Sequence, residues 1–314
     1  MMHALPASAA LELVRLGPLM ALSSGRAEIG VGLVDGPVAI DHPDLDGARI
    51  RALGGDGSLC SRSDSGACIH GTFVAGILAA RRGSLAPAIC PGCTLLVRPI
   101  FRETAADGAF PVAAPDDVGR AIVECVNAGA RIVNLSVATA VPTTRVEASL
   151  RQALDHAARR GVIVVAAAGN QATLGSSEIT RHPGVIPVVA YNLGGQPMDQ
   201  SNFGKSSGQW GLGAPGDGIV SLTTDGNPAP RAGTSVATAF VTGTIALLWS
   251  MFPTVDAGSL RRVLTHGPRR TTVIPPLMNA QAAWRTSGNA ITLETDKPMA
   301  TQPAQNASEP APSG

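Results

Sequence analysis

Six short apolar runs limit what this chain can fold into. They are residues 28–34 (EIGVGLV), 94–100 (TLLVRPI), 131–137 (RIVNLSV), 162–168 (VIVVAAA), 185–191 (VIPVVAY) and 218–222 (GIVSL). Several are continuous rather than alternating, the pattern of strands covered on both faces. Between them, 116–129 (DDVGRAIVECVNAG) and 144–161 (TRVEASLRQALDHAARRG) have helical spacing. In the second, Val146, Leu150, Ala153, Leu154 and Ala157 share one face and arginines take the other. Such alternation predicts an α/β fold with a mostly parallel central sheet and helices on both faces. The stretch 234–252 (TSVATAFVTGTIALLWSMF) is apolar all round, so it is expected to cross the interior and stop at Pro253. Residues 254–267 read as a surface helix closed by Gly267.

The chain's bulk properties exclude several function classes. A net charge of +1 gives no reason to expect nucleic acid or an anionic membrane as partner. Aromatics at 3% argue against base-stacking platforms. Glu12, Arg15 and Pro18 interrupt the N-terminal stretch, which therefore does not read as a signal peptide. No uncharged apolar run is expected to reach membrane-spanning length, and the default compartment is the cytoplasm. Residues 1–27 read as an N-terminal extension and 28–287 as one domain; 288–314, rich in Pro, Ala, Ser and Thr, reads as a disordered tail.

The cysteines are five: Cys60, Cys68, Cys90, Cys93 and Cys125. An odd number in a long chain is a poor match to a secreted disulfide framework. Cys90 and Cys93 have the spacing of a redox or zinc half-site, which Cys60 and Cys68 would complete as a four-thiolate set. The second pair is spaced too widely for a zinc ribbon, so ordinary thiols or a local loop disulfide is the preferred reading. Cys125 sits in a helical pattern as a buried small side chain. Asp44, Asp46, Asp56 and Asp64 are scattered loop acids and form no calcium loop. No metal or cofactor is expected.

Four residues stand where chemistry would be done. Asp35 ends an apolar strand and is followed by Gly36; His70 opens an amphipathic helix; Asn170 follows a buried strand and Gly169; Ser235 opens the interior helix. In parallel sheets the working edge is at the carboxyl ends of the strands, where all four can meet. A serine hydroxyl needs an imidazole to take its proton, and the imidazole needs a carboxylate to fix its tautomer. The oxyanion that follows needs preorganised donors, such as a side-chain amide and a helix-start N–H. Capping alone also explains a Ser at a helix mouth, and a turn alone explains Gly-Asn. The set of four is what favours the chemical reading.

Over about residues 28–268 the chain resembles the subtilases, the subtilisin-like serine proteases, in the order Asp, His, Ser and in the motifs VDG, HGTFVAG, AAAGN and GTSVATAFVTG. The resemblance implies a subtilisin-like three-layer fold. It makes Asp35 the group that orients His70, His70 the general base and then acid, Ser235 the nucleophile, and Asn170 an oxyanion donor. It also implies that Ser136, Val137 and Ala138 pair with a bound peptide as an added strand, with Ala168 and Gly169 forming another wall of the pocket. Ala138 stands where the family usually has glycine, so the residue before the cut is expected to be uncharged and not bulky. DGPVAIDHPDL and CPGCTLLVRPIF look most like the peptidase domains of cyanobactin-maturation proteases, which trim ribosomally made precursor peptides. Only a Gly/Ser-rich loop precedes His70, where ring-closing relatives carry a helical insertion, so hydrolysis is expected. Fewer than 35 residues precede Asp35, too few for an inhibitory prodomain. The expected partner is a peptide or protein substrate. The rival readings are a broad-specificity turnover protease and an idle fold that only binds peptides.

Overall fold

Neighbouring residues of the first apolar run part company: Leu33 packs into one hydrophobic cluster and Val34 into another. The same division separates Ile132 from Val133 and Val165 from Val164. Alternate side chains of a strand point to opposite faces, so these runs form a sheet with a core on each side.

The computed structural model describes residues 6–54, 59–103, 113–137, 147–265 and 270–295. Helices α1 (Pro6–Leu13) and α2 (Gly17–Leu22) lead into β1 (Gly30–Asp35), β2 (Arg49–Ala52), α3 (Gly66–Ala79) and β3 (Thr94–Pro99). Then come α4 (Pro115–Asn127), β4 (Ala130–Leu135), α5 (Ala148–Arg159), β5 (Ile163–Ala167), α6 (Glu178–Arg181), β6 (Val185–Tyr191), α7 (Lys205–Trp210) and β7 (Leu212–Pro215). Strands β8 (Ile219–Ser221) and β9 (Ala229–Arg231) precede α8 (Thr234–Met251), α9 (Ala257–Thr265) and α10 (Ala280–Thr295).

Strands β1 to β7 form one seven-stranded sheet in the order β2-β3-β1-β4-β5-β6-β7, with every neighbour parallel. Gly32 and Leu33 of β1 pair with Leu96 and Val97 on one side and with Val133 and Asn134 on the other. Helices α4 and α5 cover one face, and α3 and α8 the other. Parallel strands share their carboxyl edge, so β1, β4 and β5 end together at one rim.

The structure departs from the sequence reading in several places. The run 218–222 does not join the sheet; as β8 it pairs antiparallel with β9 in a separate hairpin. The edge strands β2 and β7 went unread, because RIRA is charged and LGAP is small and lacks an apolar run. Residues 6–27 are no appendage, since Ala10, Val14, Leu16 and Leu19 are fully buried in the main cluster. The tail does not begin at 288, because α10 runs on to Thr295 through a proline-free stretch; residues 296–314 lie outside the described residues. Finally, α8 is long and apolar enough by composition to cross a membrane, yet 89% of it is buried inside the protein, where it serves as the core helix the sequence called for.

Candidate active site

Strand β1 carries Asp35 at its last position, fully buried. The chain then turns against α3 with no slack. A Cβ on Gly36 would lie 2.0 Å from the Ala67 carbonyl oxygen, and one on Gly71 would lie 2.4 Å from the Pro37 oxygen and 2.5 Å from that of Gly36. Two glycines therefore let a helix and a strand end touch, backbone to backbone. That contact sets His70, whose Nδ1 lies 2.7 Å from Asp35 Oδ1. The same oxygen accepts from the Gly36 N–H at 2.6 Å, and the other, Oδ2, is buried with no hydrogen-bond partner among the described residues. A carboxylate facing Nδ1 holds the proton there and turns Nε2, as acceptor, the other way. His70 is the fifth residue of α3, not its first, and this helix is buried on nearly all sides rather than amphipathic.

Strand β5 delivers the second half. Beyond it Ala168 is buried and Gly169 takes φ +105°, a left-handed conformation that favours glycine. The Gly169 N–H donates to Thr234 Oγ1 at 3.1 Å, and the Thr234 N–H donates to Asn170 Oδ1 at 2.9 Å. Asn170 thus caps α8 from 64 residues away. With its oxygen engaged, the end left to act as a donor is Nδ2. Gly233 is the N-cap residue of α8, at φ +138°, and makes no side-chain cap bond. Ser235 is the second residue of α8, so its hydroxyl is not the cap. The first-turn N–H groups of a helix lack intrahelical partners, and that end of the macrodipole favours negative charge.

Ser136 and Val137, just past β4, are both buried. Ser136 Oγ accepts from Asn134 Nδ2 at 2.9 Å, and Asn134 Oδ1 accepts from the Thr242 hydroxyl of α8 at 2.9 Å. Ala138 lies outside the described residues. The structure thus holds Asp35 to His70 and Asn170 to the turn bearing Ser235, with Ser136, Val137, Ala168 and Gly169 on the rim of the same strands. The sequence reading assigned no role to Gly36, Gly71 or Thr234, although they stand in its motifs; a glycine in a turn and a threonine beside a serine carry no signal of their own.

Cys60 and Cys68 form a disulfide that ties the preceding loop to α3. Among the described residues, Cys60, Cys68 and Glu103 place ligand atoms within 4.8 Å of one another. The two sulfurs are spent on each other, which removes the four-thiolate zinc reading. Glu103 instead accepts from the backbone N–H groups of Ser61 and Arg62. Cys90, Cys93 and Cys125 are buried thiols, and burial pushes Cys125 up to about 12. His42 and His182 serve structure: His42 Nδ1 accepts from the Asp44 N–H, and His182 pairs with Asp155 at 3.0 Å.

A buried carboxylate–imidazole pair beyond β1 and a serine in the first turn of a helix tied to the chain beyond β5, both at the carboxyl edge of one parallel sheet, are the parts of a hydrolase-like site of the subtilisin type. Residues 26–283 match the Subtilase family, and the chain belongs to it. Fervidolysin of Fervidobacterium pennivorans is 29% identical over 75% of this chain, which spans only 36% of that protein's length. Among solved structures, a mutant of the protease domain of PatA is 31% identical with a TM-score of 0.77, covering 85% of this chain and 97% of its own. The prenylagaramide maturation protease PagA is 28% identical with a TM-score of 0.75, covering 86% of this chain and 98% of its own.

Proposed function

We propose that this subtilase hydrolyses peptide bonds through Asp35, His70 and Ser235, and that it processes a dedicated peptide, in the manner of a precursor, in the cytoplasm. The observation that carries the reading is the 2.7 Å bond between buried Asp35 and His70 at the sheet rim, the same rim at which Asn170 braces the start of α8. Asp35 holds the His70 ring with Nε2 as acceptor. Nε2 takes the Ser235 proton as Oγ attacks the peptide carbonyl. The oxyanion is received by Asn170 Nδ2 and the α8 N-terminus, worth about a hundredfold or more in rate per donor. His70 then gives its proton to the leaving amine, and water repeats the sequence on the acyl-enzyme. The acyl half of the substrate would lie along Ser136, Val137 and Ala138, with Ala168 and Gly169 closing the pocket around an uncharged, modest side chain. No cofactor is needed for any step.

The maturation role is supported by likeness to PagA, which is named a maturation protease. The Cys60–Cys68 bond pulls against the proposed compartment, because a reducing cytosol disfavours disulfides. Labelling with a fluorophosphonate tests the chemistry without knowledge of the substrate. Wild type should label, and Ser235→Ala and His70→Ala should not. A folded wild type that stays unlabelled would leave a peptide-binding fold as the better reading. Casein reduced to many fragments would favour general turnover over a dedicated substrate.

A further inference from the structure

Strand β9 ends at Arg231, four residues before Ser235. Its hairpin is fixed to the helix that bears His70. The Ser221 hydroxyl of β8 donates to the Phe73 carbonyl of α3 at 2.7 Å, and Ile219 pairs with Arg231 across the hairpin. Gly76 makes the docking possible, since a Cβ there would lie 2.4 Å from Ser221 Oγ. The Arg231 guanidinium consequently stands over the ring of Phe73, 5.8 Å from its centroid and three residues on from His70. It therefore occupies the ground between the helix of the general base and the helix of the nucleophile.

Among the described residues no acid answers that charge. Arg231 is half-buried, and its Nε is buried with no hydrogen-bond partner among the described residues. Burial alone lowers its pKa, with no carboxylate raising it. Among other half-buried arginines, Arg98 pairs with Glu124 and Arg270 donates to the carbonyls of Gly211 and Thr265. Arg181 shares the trait of a buried unpartnered nitrogen, Nη2, but lies far along the chain from both His70 and Ser235. A buried N–H without an acceptor is costly, and the planar fork of a half-buried guanidinium suits a carboxylate.

The mechanism fixes the side on which such a carboxylate would arrive. His70 protonates the leaving amine, so the departing segment exits over α3, whereas the acyl segment lies along Ser136 and Val137. We propose that Arg231 is a specificity-determining residue that selects an acidic side chain, Asp or Glu, in the first residues after the cleaved bond. This inference rests on the peptidase reading above.

The test is cleavage of a combinatorial peptide pool with product sequencing, followed by kcat/KM on matched peptides carrying Glu or Lys after the cut. Wild type should favour Glu over Lys by about tenfold or more, the worth of one charge-assisted hydrogen bond. Arg231→Gln should bring the ratio towards one, and Arg231→Glu should invert it. Each ratio is internal to one protein, so a general loss of activity cancels. The wild-type ratio decides by itself should the Glu variant fail to fold. Equal rates on Glu and Lys, or a preference that survives Arg231→Gln, would overturn the inference. Fluorophosphonate labelling of wild type separates the two levels: a labelled enzyme without the preference sinks this inference alone, and an unlabelled one sinks the peptidase reading with it.

Discussion

Helices α3 and α8 each carry a proposed catalytic side chain near their start and then run, buried on nearly every face, through the same hydrophobic cluster. They are mounted by opposite means. Helix α3 is placed by contact: Gly36 and Gly71 let its first turns lie against the chain beyond β1, with no room for a single methyl group. Helix α8 is placed by polar ties, from Asn170 and Thr234 at its mouth and from Thr242 to Asn134 further along. Close contact between backbones has no partial state. Hydrogen bonds can be removed one at a time, each costing about 0.5–1.5 kcal/mol net and more when a buried partner is orphaned. Damage to the His70 mount should therefore be abrupt, and damage to the Ser235 mount graded.

Gly71→Ala is the most severe way to press this comparison. The new Cβ would meet two backbone carbonyl oxygens, which cannot swing aside as side chains do. Fluorophosphonate labelling should be lost, and thermal unfolding should report a loss of at least about 1–3 kcal/mol. Labelling near the wild-type rate would show that α3 has slack and would dissolve the contrast. Asn170→Ala comes next. It removes both the proposed oxyanion donor and the acceptor for the Thr234 N–H. We expect kcat to fall about 100-fold to 1,000-fold, with a stability loss of only about 1 kcal/mol. A large stability loss with unchanged kcat would make Asn170 a cap and nothing more.

The disulfide sharpens the contrast from the side of α3. Cys60 and Cys68 are 8 residues apart, and closing so short a loop is worth about 2–3 kcal/mol through the unfolded chain. Cys60→Ser with Cys68→Ser should lower the unfolding midpoint accordingly. Labelling should persist in the double variant, because Gly36 and Gly71, not the disulfide, set the position of His70. Loss of labelling would instead place the disulfide among the determinants of that position.

What the sequence disclosed and what it withheld divide along the same line. Strands β1, β3, β4, β5 and β6 were legible because continuous apolar runs have few other uses, and the candidate catalytic residues stood out because their motifs fall in order along the chain. Edge strand β2 was invisible: RIRA faces solvent at several positions, so no burial shaped its composition. The pairing of Cys60 with Cys68 was open until the loop docked on α3. Gly71 looked like part of a motif, yet its reason is a carbonyl oxygen from residue 37, a distance that exists only after folding. Arg231 was legible least of all, since nothing nearby in the sequence says that its hairpin comes to rest on Phe73.

The mildest test lies inside α8. Thr242 reaches Asn134 through its hydroxyl, and Asn134 in turn donates to Ser136, so the core helix steadies the rim along which a substrate would pair. Thr242→Val keeps the shape and removes the donor. Asn134 Oδ1 is then left without that partner in a fully buried position, at a cost of about 1–3 kcal/mol. Ser235 lies nearly two helical turns away and keeps its own ties to Asn170 and Thr234, so the rate of fluorophosphonate labelling should not change. A loosened Ser136 should instead raise KM for peptides by a few-fold, about 0.5–1 kcal/mol of binding, and leave kcat alone. A fall in kcat with constant KM would mean that the polar ties of α8 act as one unit, and the graded mount would have to be given up.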